Sequence, residues 1–233
     1  MRDFALSKIG KIRHSPAASR PEKTCSVMSR KILIAALLAG LVSSAAPAAA
    51  LQLTPQQADL YTSVSINPPS VNGMTVCYGF VCRRREMLYF TASDQKQLSQ
   101  IMARGKASAV AERAAIQKAV VWFDKRMGPM IGTAKRVARA DIRSGADAGN
   151  YDCWDSTRNV TSLLLVMQEW GLLKHHTVSN PRYRGNILVM QLPHNTAVIM
   201  EKNSRVEWAV DMWTTRYAQP PDVMLVDQWL KEE

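Results

Sequence analysis

Three residues of the chain, Cys153, His194 and Asp211, have the types needed for nucleophilic acyl chemistry. Such chemistry needs a thiolate, a base to take its proton and a group that orients the base. Cys153 follows Asp152 at the expected start of a helix, where the macrodipole favours a thiolate. A small buried cysteine on an apolar stripe would have the same neighbours, so Cys153 alone decides nothing. His194 follows Pro193 and opens an expected strand, Asn195 to Met200. His175 and His176 follow a helix end, where positive charge is favourable without any chemistry.

The strand after His194 and the strand Arg205 to Val210 flank a short turn, Glu201 to Ser204. A turn symmetric about Lys202 and Asn203 pairs Met200 with Arg205, Val198 with Glu207 and His194 with Asp211. Directly opposed side chains have Cβ atoms about 4.5–5.5 Å apart, which suits an imidazole bonded to a carboxylate. The opposite face then carries Ala197, Ile199, Val206, Trp208 and Val210, a coherent buried face. Lys-Asn is not a strong two-residue turn. A turn centred on Asn203-Ser204 would instead put Asp211 one pair out of line.

The elements that must position these residues lie downstream of a segment of different character. Arg30 and Lys31 precede an eleven-residue apolar run, Ile32 to Val42, and small residues end in Ala48-Ala49-Ala50. The run is too short to span a bilayer as a helix. A basic start, a short apolar run and an Ala-x-Ala end read as a secretory signal peptide over residues 1–50, with Met28 as an alternative translation start. The expected mature chain, residues 51–233, is long enough for a single buried core. The 233 residues have a net charge of +11, but residues 1–50 carry eight Lys/Arg and two Asp/Glu. The remainder, 22 basic against 17 acidic residues, has no accompanying nucleic-acid motif. Arg83-Arg84-Arg85 and the basic residues between 135 and 143 read as solvated faces, or as a transient contact for an anionic envelope surface.

Export bears on the cysteines. In an oxidising compartment cysteines tend to pair. Cys77 and Cys82 are close in sequence, with Gly79 available for a tight turn, and are expected to close a small disulfide. Two free buried thiols are the alternative. Cys153 is left over, which suggests a reactive thiol or an intermolecular bond.

Helical periodicity is strongest from Ser108 to Met127, where Ile116, Val120, Phe123 and Met127 form one stripe ended by Gly128-Pro129. A second helix runs from Cys153 to Trp170, with Asp152 as N-cap, Asp155 in its first turn and Gly171 as its stop. Shorter helices are expected over 94–102 and, with a basic face, over 130–143; Gly145 to Tyr151 reads as a loop. Strands are expected at Ile187–Gln191 and in the two segments of the hairpin. A short amphipathic stretch with Val223, Val226, Trp229 and Leu230 ends the chain. Helices first and antiparallel strands later give an α+β class.

Four segments resemble the transglutaminase-like, papain-related cysteine hydrolases, and bacterial transglutaminase-like cysteine peptidases in particular. They are Asp-Cys-Trp-Asp at 152–155, Glu-Trp-Gly-Leu at 169–172, His-Asn-Thr-Ala-Val-Ile at 194–199 and Trp-Ala-Val-Asp-Met-Trp at 208–213. The resemblance covers residues 110–217. It departs around the cysteine, where those peptidases usually have Cys-Glu-Asp-Tyr and this chain has Cys153-Trp154-Asp155-Ser156. It implies a papain/transglutaminase-like core, with the nucleophile helix packed on an antiparallel sheet. It also implies a Cys153-His194-Asp211 triad that cleaves an amide or peptide bond through a thioester. Backbone N–H groups at the helix start would bind the oxyanion, and Trp154 and Trp213 are candidates for the cleft walls.

An exported, monomeric enzyme acting on a protein or peptide is therefore expected, periplasmic or secreted, with no nucleic-acid partner. The alternatives are an inactive binding module of the same fold at the cell envelope, and an amine acyltransferase. No cofactor is expected. Some relatives bind calcium, for which Asp141, Asp147, Asp152 and Asp155 could supply oxygens, but these lack calcium-loop spacing. No Cys/His group has zinc-ligand spacing.

Overall fold

The computed structural model describes residues 51–140, 147–186, 188 and 191–232. The expected signal peptide (residues 1–50), residues 141–146 of the expected basic helix and loop, and Ile187, Val189 and Met190 of the expected strand lie outside the described residues. Helices α1 (Pro55–Thr62), α2 (Ala92–Ala103), α3 (Ala109–Ile131) and α4 (Cys153–Glu169) precede most of the strands, and a four-residue helix α5 (Val226–Trp229) closes the order. A hairpin, β1 (Gly73–Tyr78) and β2 (Arg84–Tyr89), stands between α1 and α2. The second sheet contains β3 (His176–Val178), β4 (Arg182–Arg184), β5 (His194–Glu201), β6 (Glu207–Asp211) and β7 (Asp222–Leu225). Its strands are antiparallel in the order β3-β5-β6-β7, and β4 pairs with the start of β5 on the edge that β3 shares. The class is α+β.

The helices start where side chains can satisfy their first free N–H groups. Thr54 with Gln57, and Thr91 with Asp94, make reciprocal capping boxes for α1 and α2. Ser108 accepts from the Ala111 N–H, and Asp152 accepts from the Asp155 N–H at 2.6 Å. The expected stripe Ile116, Val120, Phe123 and Met127 on α3 is buried, and it meets Val160, Leu163, Leu164 and Met167 of α4 in the main core. α4 lies across β5 and β1 and is buried from Asp155 to Met167. Leu165 and Val166 fill a second cluster with Leu51, Leu60 and Tyr61.

Gly128-Pro129 does not end α3. Proline fits helical φ and loses only one bond when it sits in the last turn, so the helix runs to Ile131. Gly132, at φ +80°, is the actual stop. Residues 133–140 then form turns rather than the expected basic helix. The reason is Arg136. Its guanidinium is buried on the Asp124 carboxylate at 2.9 Å and also donates to the carbonyls of Met212 at 3.4 Å and Thr215 at 2.5 Å. Arg136 therefore joins no basic surface, whereas Arg83, Arg84, Arg85, Lys135 and Arg139 are exposed.

The β5–β6 hairpin uses a four-residue loop, Lys202 to Arg205, with Arg205 at φ +61°. It is therefore the turn centred on Asn203-Ser204, and the pairing is Val198 with Ala209 and Met200 with Glu207. The shift is two residues, so every side chain keeps its expected face. Both faces are covered. Ala197, Ile199 and Val210 enter the main core, while Val198 and Ala209 lie under Val226 and Trp229. Of the expected C-terminal amphipathic stretch, Val223 belongs to β7 and only Val226–Trp229 is helical.

Replacing Arg136 with methionine would strand the Asp124 carboxylate in the core, a change that costs about 3–5 kcal/mol. Urea unfolding should show that loss. The double variant Arg136→Met/Asp124→Leu should recover much of it, because no charge is then left buried.

Candidate active site

His194 opens β5 and Asp211 closes β6, so the two strands bring them to the same end and face of the sheet. They are not directly opposed, since Asp211 pairs with Asp222 on β7 and lies one pair out of line with His194. The imidazole crosses that offset. Its Nε2 lies 2.5 Å from Asp211 Oδ2, and both side chains are buried. The same carboxylate oxygen accepts the Trp229 indole N–H at 2.8 Å, and Oδ1 accepts the Trp213 backbone N–H at 3.2 Å. The His194 ring sits between Trp213 and Trp229, with centroids 4.5 and 5.2 Å away. These contacts hold both the ring plane and the carboxylate, while His194 Nδ1 is buried with no hydrogen-bond partner.

Cys153 is a free thiol at the first position of α4, partly buried. The helix start does not give it the depressed pKa expected from the macrodipole. Burial and then the Asp152 charge push the thiol up to about 12, while the backbone N–H groups of Asn195 and of Cys153 itself pull the other way and are outweighed. The amide of Asn195, next to His194, thus acts on the sulfur, and the Asp211 charge is also felt there. Trp154, 38% exposed, lines a cleft of about 420 Å³ with Leu60, Tyr183 and Asn195. Trp213 donates its indole N–H to the Ala140 carbonyl at 2.9 Å as well as packing on His194.

The disulfide Cys77–Cys82 is present, with Cα atoms 4.5 Å apart. Its loop is docked on the start of α4. The Phe80 and Cys82 N–H groups donate to the Asp155 carboxylate at 2.9 and 2.6 Å, and the Val81 N–H donates to Asp152 Oδ2 at 2.6 Å. To aim these donors, Gly79, Phe80, Val81 and Cys82 all have positive φ, from +52° to +73°. Left-handed backbone costs a residue other than glycine about 1–2 kcal/mol. Further along α4, Asn159 accepts the Cys77 N–H and donates to the Cys77 carbonyl, both at 2.8 Å.

These bonds also bear on calcium. Asp152 and Asp155 turn their oxygens toward N–H donors, and Asp147 accepts from the Gly149 N–H and the Asn150 amide. Cation ligands face the opposite kind of partner. Asp141 lies outside the described residues. Among the described residues no group of three His, Cys, Asp or Glu could hold a metal ion.

His175 and His176 do not simply cap a helix end. His176 is buried on β3 with Nδ1 2.8 Å from Glu112, whose carboxylate also accepts three successive backbone N–H groups, from Lys174 to His176. This ties β3 to α3, away from the candidate triad.

Sequence reasoning missed Trp229 as a partner of Asp211, the docking of residues 80–82 on the helix start, and two buried polar side chains beside the site. The Asn195 carboxamide has no partner at either end, and Arg158, over the Trp154 ring, has one free Nη1. Tryptophan in an amphipathic tail and asparagine after histidine have no spacing that marks such roles.

Comparison of the chain with protein-family models, with curated proteins and with solved structures found no match.

Burial and the Asp152 charge push the Asp155 carboxyl up to about 7 against the pull of its N–H donors. An unfolded aspartate titrates near about 3.9. The folded state therefore binds more protons between these values, and stability should fall as pH rises from about 4 to about 7. Asp155→Asn should flatten that part of the stability profile, measured as the urea midpoint against pH.

Proposed function

We propose that the protein is an exported cysteine hydrolase that cleaves an amide or peptide bond with Cys153, His194 and Asp211. One observation carries the reading: His194 is buried with Nε2 on Asp211 and Nδ1 unpartnered, and the residues that follow Cys153 and His194, Trp154 and Asn195, line one cleft. That orientation leaves Nδ1 as the atom able to receive a proton. The α4-on-sheet arrangement and the chain order of cysteine, histidine and aspartate support a papain/transglutaminase-like core. The disulfide accords with a periplasmic or secreted setting.

The raised thiol changes the expected first step. Cys153 rests as a neutral thiol, and its proton passes to His194 Nδ1 as Sγ attacks the substrate carbonyl carbon. Asp211 fixes the tautomer and stabilises the imidazolium. The Cys153 and Trp154 backbone N–H groups are the expected donors to the oxyanion. As the C–N bond breaks, Nδ1–H protonates the leaving amine and the acyl group remains as a thioester. Water then gives a proton to Nδ1 and attacks the thioester carbonyl carbon; as the C–S bond breaks, Nδ1–H returns that proton to Sγ, which releases the acid and restores the neutral thiol. An amine in place of water would make the same site a transferase. Nothing in this sequence of steps calls for a cofactor.

The pushed-up thiol also supports a second reading, an inert binding module of the same fold. Iodoacetamide alkylation, followed on the Cys153 peptide by mass, separates the two. In an enzyme the wild-type thiol reacts at neutral pH, and His194→Ala slows it by roughly tenfold or more with a profile rising toward pH 10. Capped peptide substrates should be cleaved by the wild type and not by Cys153→Ser. Equal alkylation of wild type and His194→Ala would refute the triad.

A further inference from the structure

The loop of residues 79–82 makes no hydrogen bond to a residue of the proposed triad, yet it bonds the two carboxylates that flank Cys153. Asp152 caps α4 and Asp155 lies in its first turn. Their outer bonds come from three consecutive N–H groups of the loop. The donors converge only because Phe80, Val81 and Cys82 are left-handed, a conformation especially unfavourable for the β-branched Val81. Val81 is also 58% exposed, so packing does little to hold it there. The loop is closed by the pairing of Tyr78 with Arg84 and, covalently, by the bond between Cys77 and Cys82.

We infer that the Cys77–Cys82 disulfide is a redox-dependent support for the nucleophile, with Asp152 and Asp155 as positioning residues that transmit loop geometry to Cys153. The inference rests on the reading of Cys153 as the nucleophile. A dithiol reductant would supply the switch. It gives two electrons, the S–S bond breaks, Cys77 and Cys82 each gain a proton, and the reductant becomes a disulfide. The freed loop returns to right-handed or extended backbone, and its N–H groups leave the carboxylates. Asp155, fully buried, then lacks its donors, and the first turn of α4 must rearrange around it. The thiol moves with that turn.

The test compares iodoacetamide alkylation of Cys153 in the full protein, oxidised and after dithiothreitol, with circular dichroism as the check on folding and peptide mass to separate the three thiols. Reduction should slow Cys153 alkylation by at least roughly threefold with the fold retained, and reoxidation should restore it. Cys77→Ala/Cys82→Ala should behave like the reduced protein. Val81→Gly keeps the N–H and adopts positive φ freely, so reduced Val81→Gly should regain much of the oxidised rate. A smaller slowing in the folded, reduced protein overturns the inference. So does a slowing that Val81→Gly leaves untouched, and so does global unfolding on reduction, since the disulfide then supports the whole fold rather than the site. The His194→Ala comparison in oxidised protein reads the triad separately, because its failure leaves the oxidised-to-reduced ratio intact.

Discussion

From Asp155 to Met167, α4 is almost wholly withdrawn from water, so each polar group on it needs a protein partner or carries a desolvation cost. That constraint arranges the neighbouring elements. Asn159 ties the helix to β1 through Cys77, and Arg158 reaches the Leu60 carbonyl of α1 at 2.6 Å. Ser162 meets the Tyr61 hydroxyl, and Asp155 takes the loop amides. A surface helix could have left these groups to solvent. This one, as a central element, recruits the N-terminal hairpin and α1 into the structure that carries Cys153.

The same burial sets the character of the site. Withdrawal from water keeps the Cys153 thiol protonated, against the pull of two backbone amides. It also makes the His194–Asp211 bond dry and directional, with two tryptophan N–H groups completing the carboxylate's partners. A thiol that ionises only together with a correctly placed base has little reactivity on its own. As the proposed nucleophile, such a thiol would depend on geometry more than on local acidity, and hence on whatever fixes the first turn of α4.

That dependence gives the disulfide loop its importance. Four successive positive φ values are a local conflict that backbone preference alone would not choose. The covalent closure and the two carboxylates resolve it together. The first turn of α4 is thereby bonded to a loop that a covalent cross-link helps to close.

Residue type and period determined much of the molecule by themselves. The α3 stripe, the Asp152 cap, the Gly171 stop and the β5 strand follow from local rules, and the spacing of Cys77 and Cys82 allowed the disulfide that forms. The candidate residues were legible too, since cysteine at a helix start and histidine and aspartate on the same face of a hairpin are short-range patterns. Tertiary structure decided what those rules do not contain. Arg136 turned an expected helix into turns because a buried carboxylate on α3 claimed its guanidinium. A four-residue loop moved Asp211 out of register with His194, and the imidazole still reached it because faces survive a shift of two. Burial outweighed the backbone N–H groups that pull the Cys153 thiol down, and Trp229, from the end of the chain, became a partner of Asp211. Local patterning reflects the chain's own geometry, whereas desolvation and long-range hydrogen bonds depend on which surfaces meet, and those are set only when the whole chain folds.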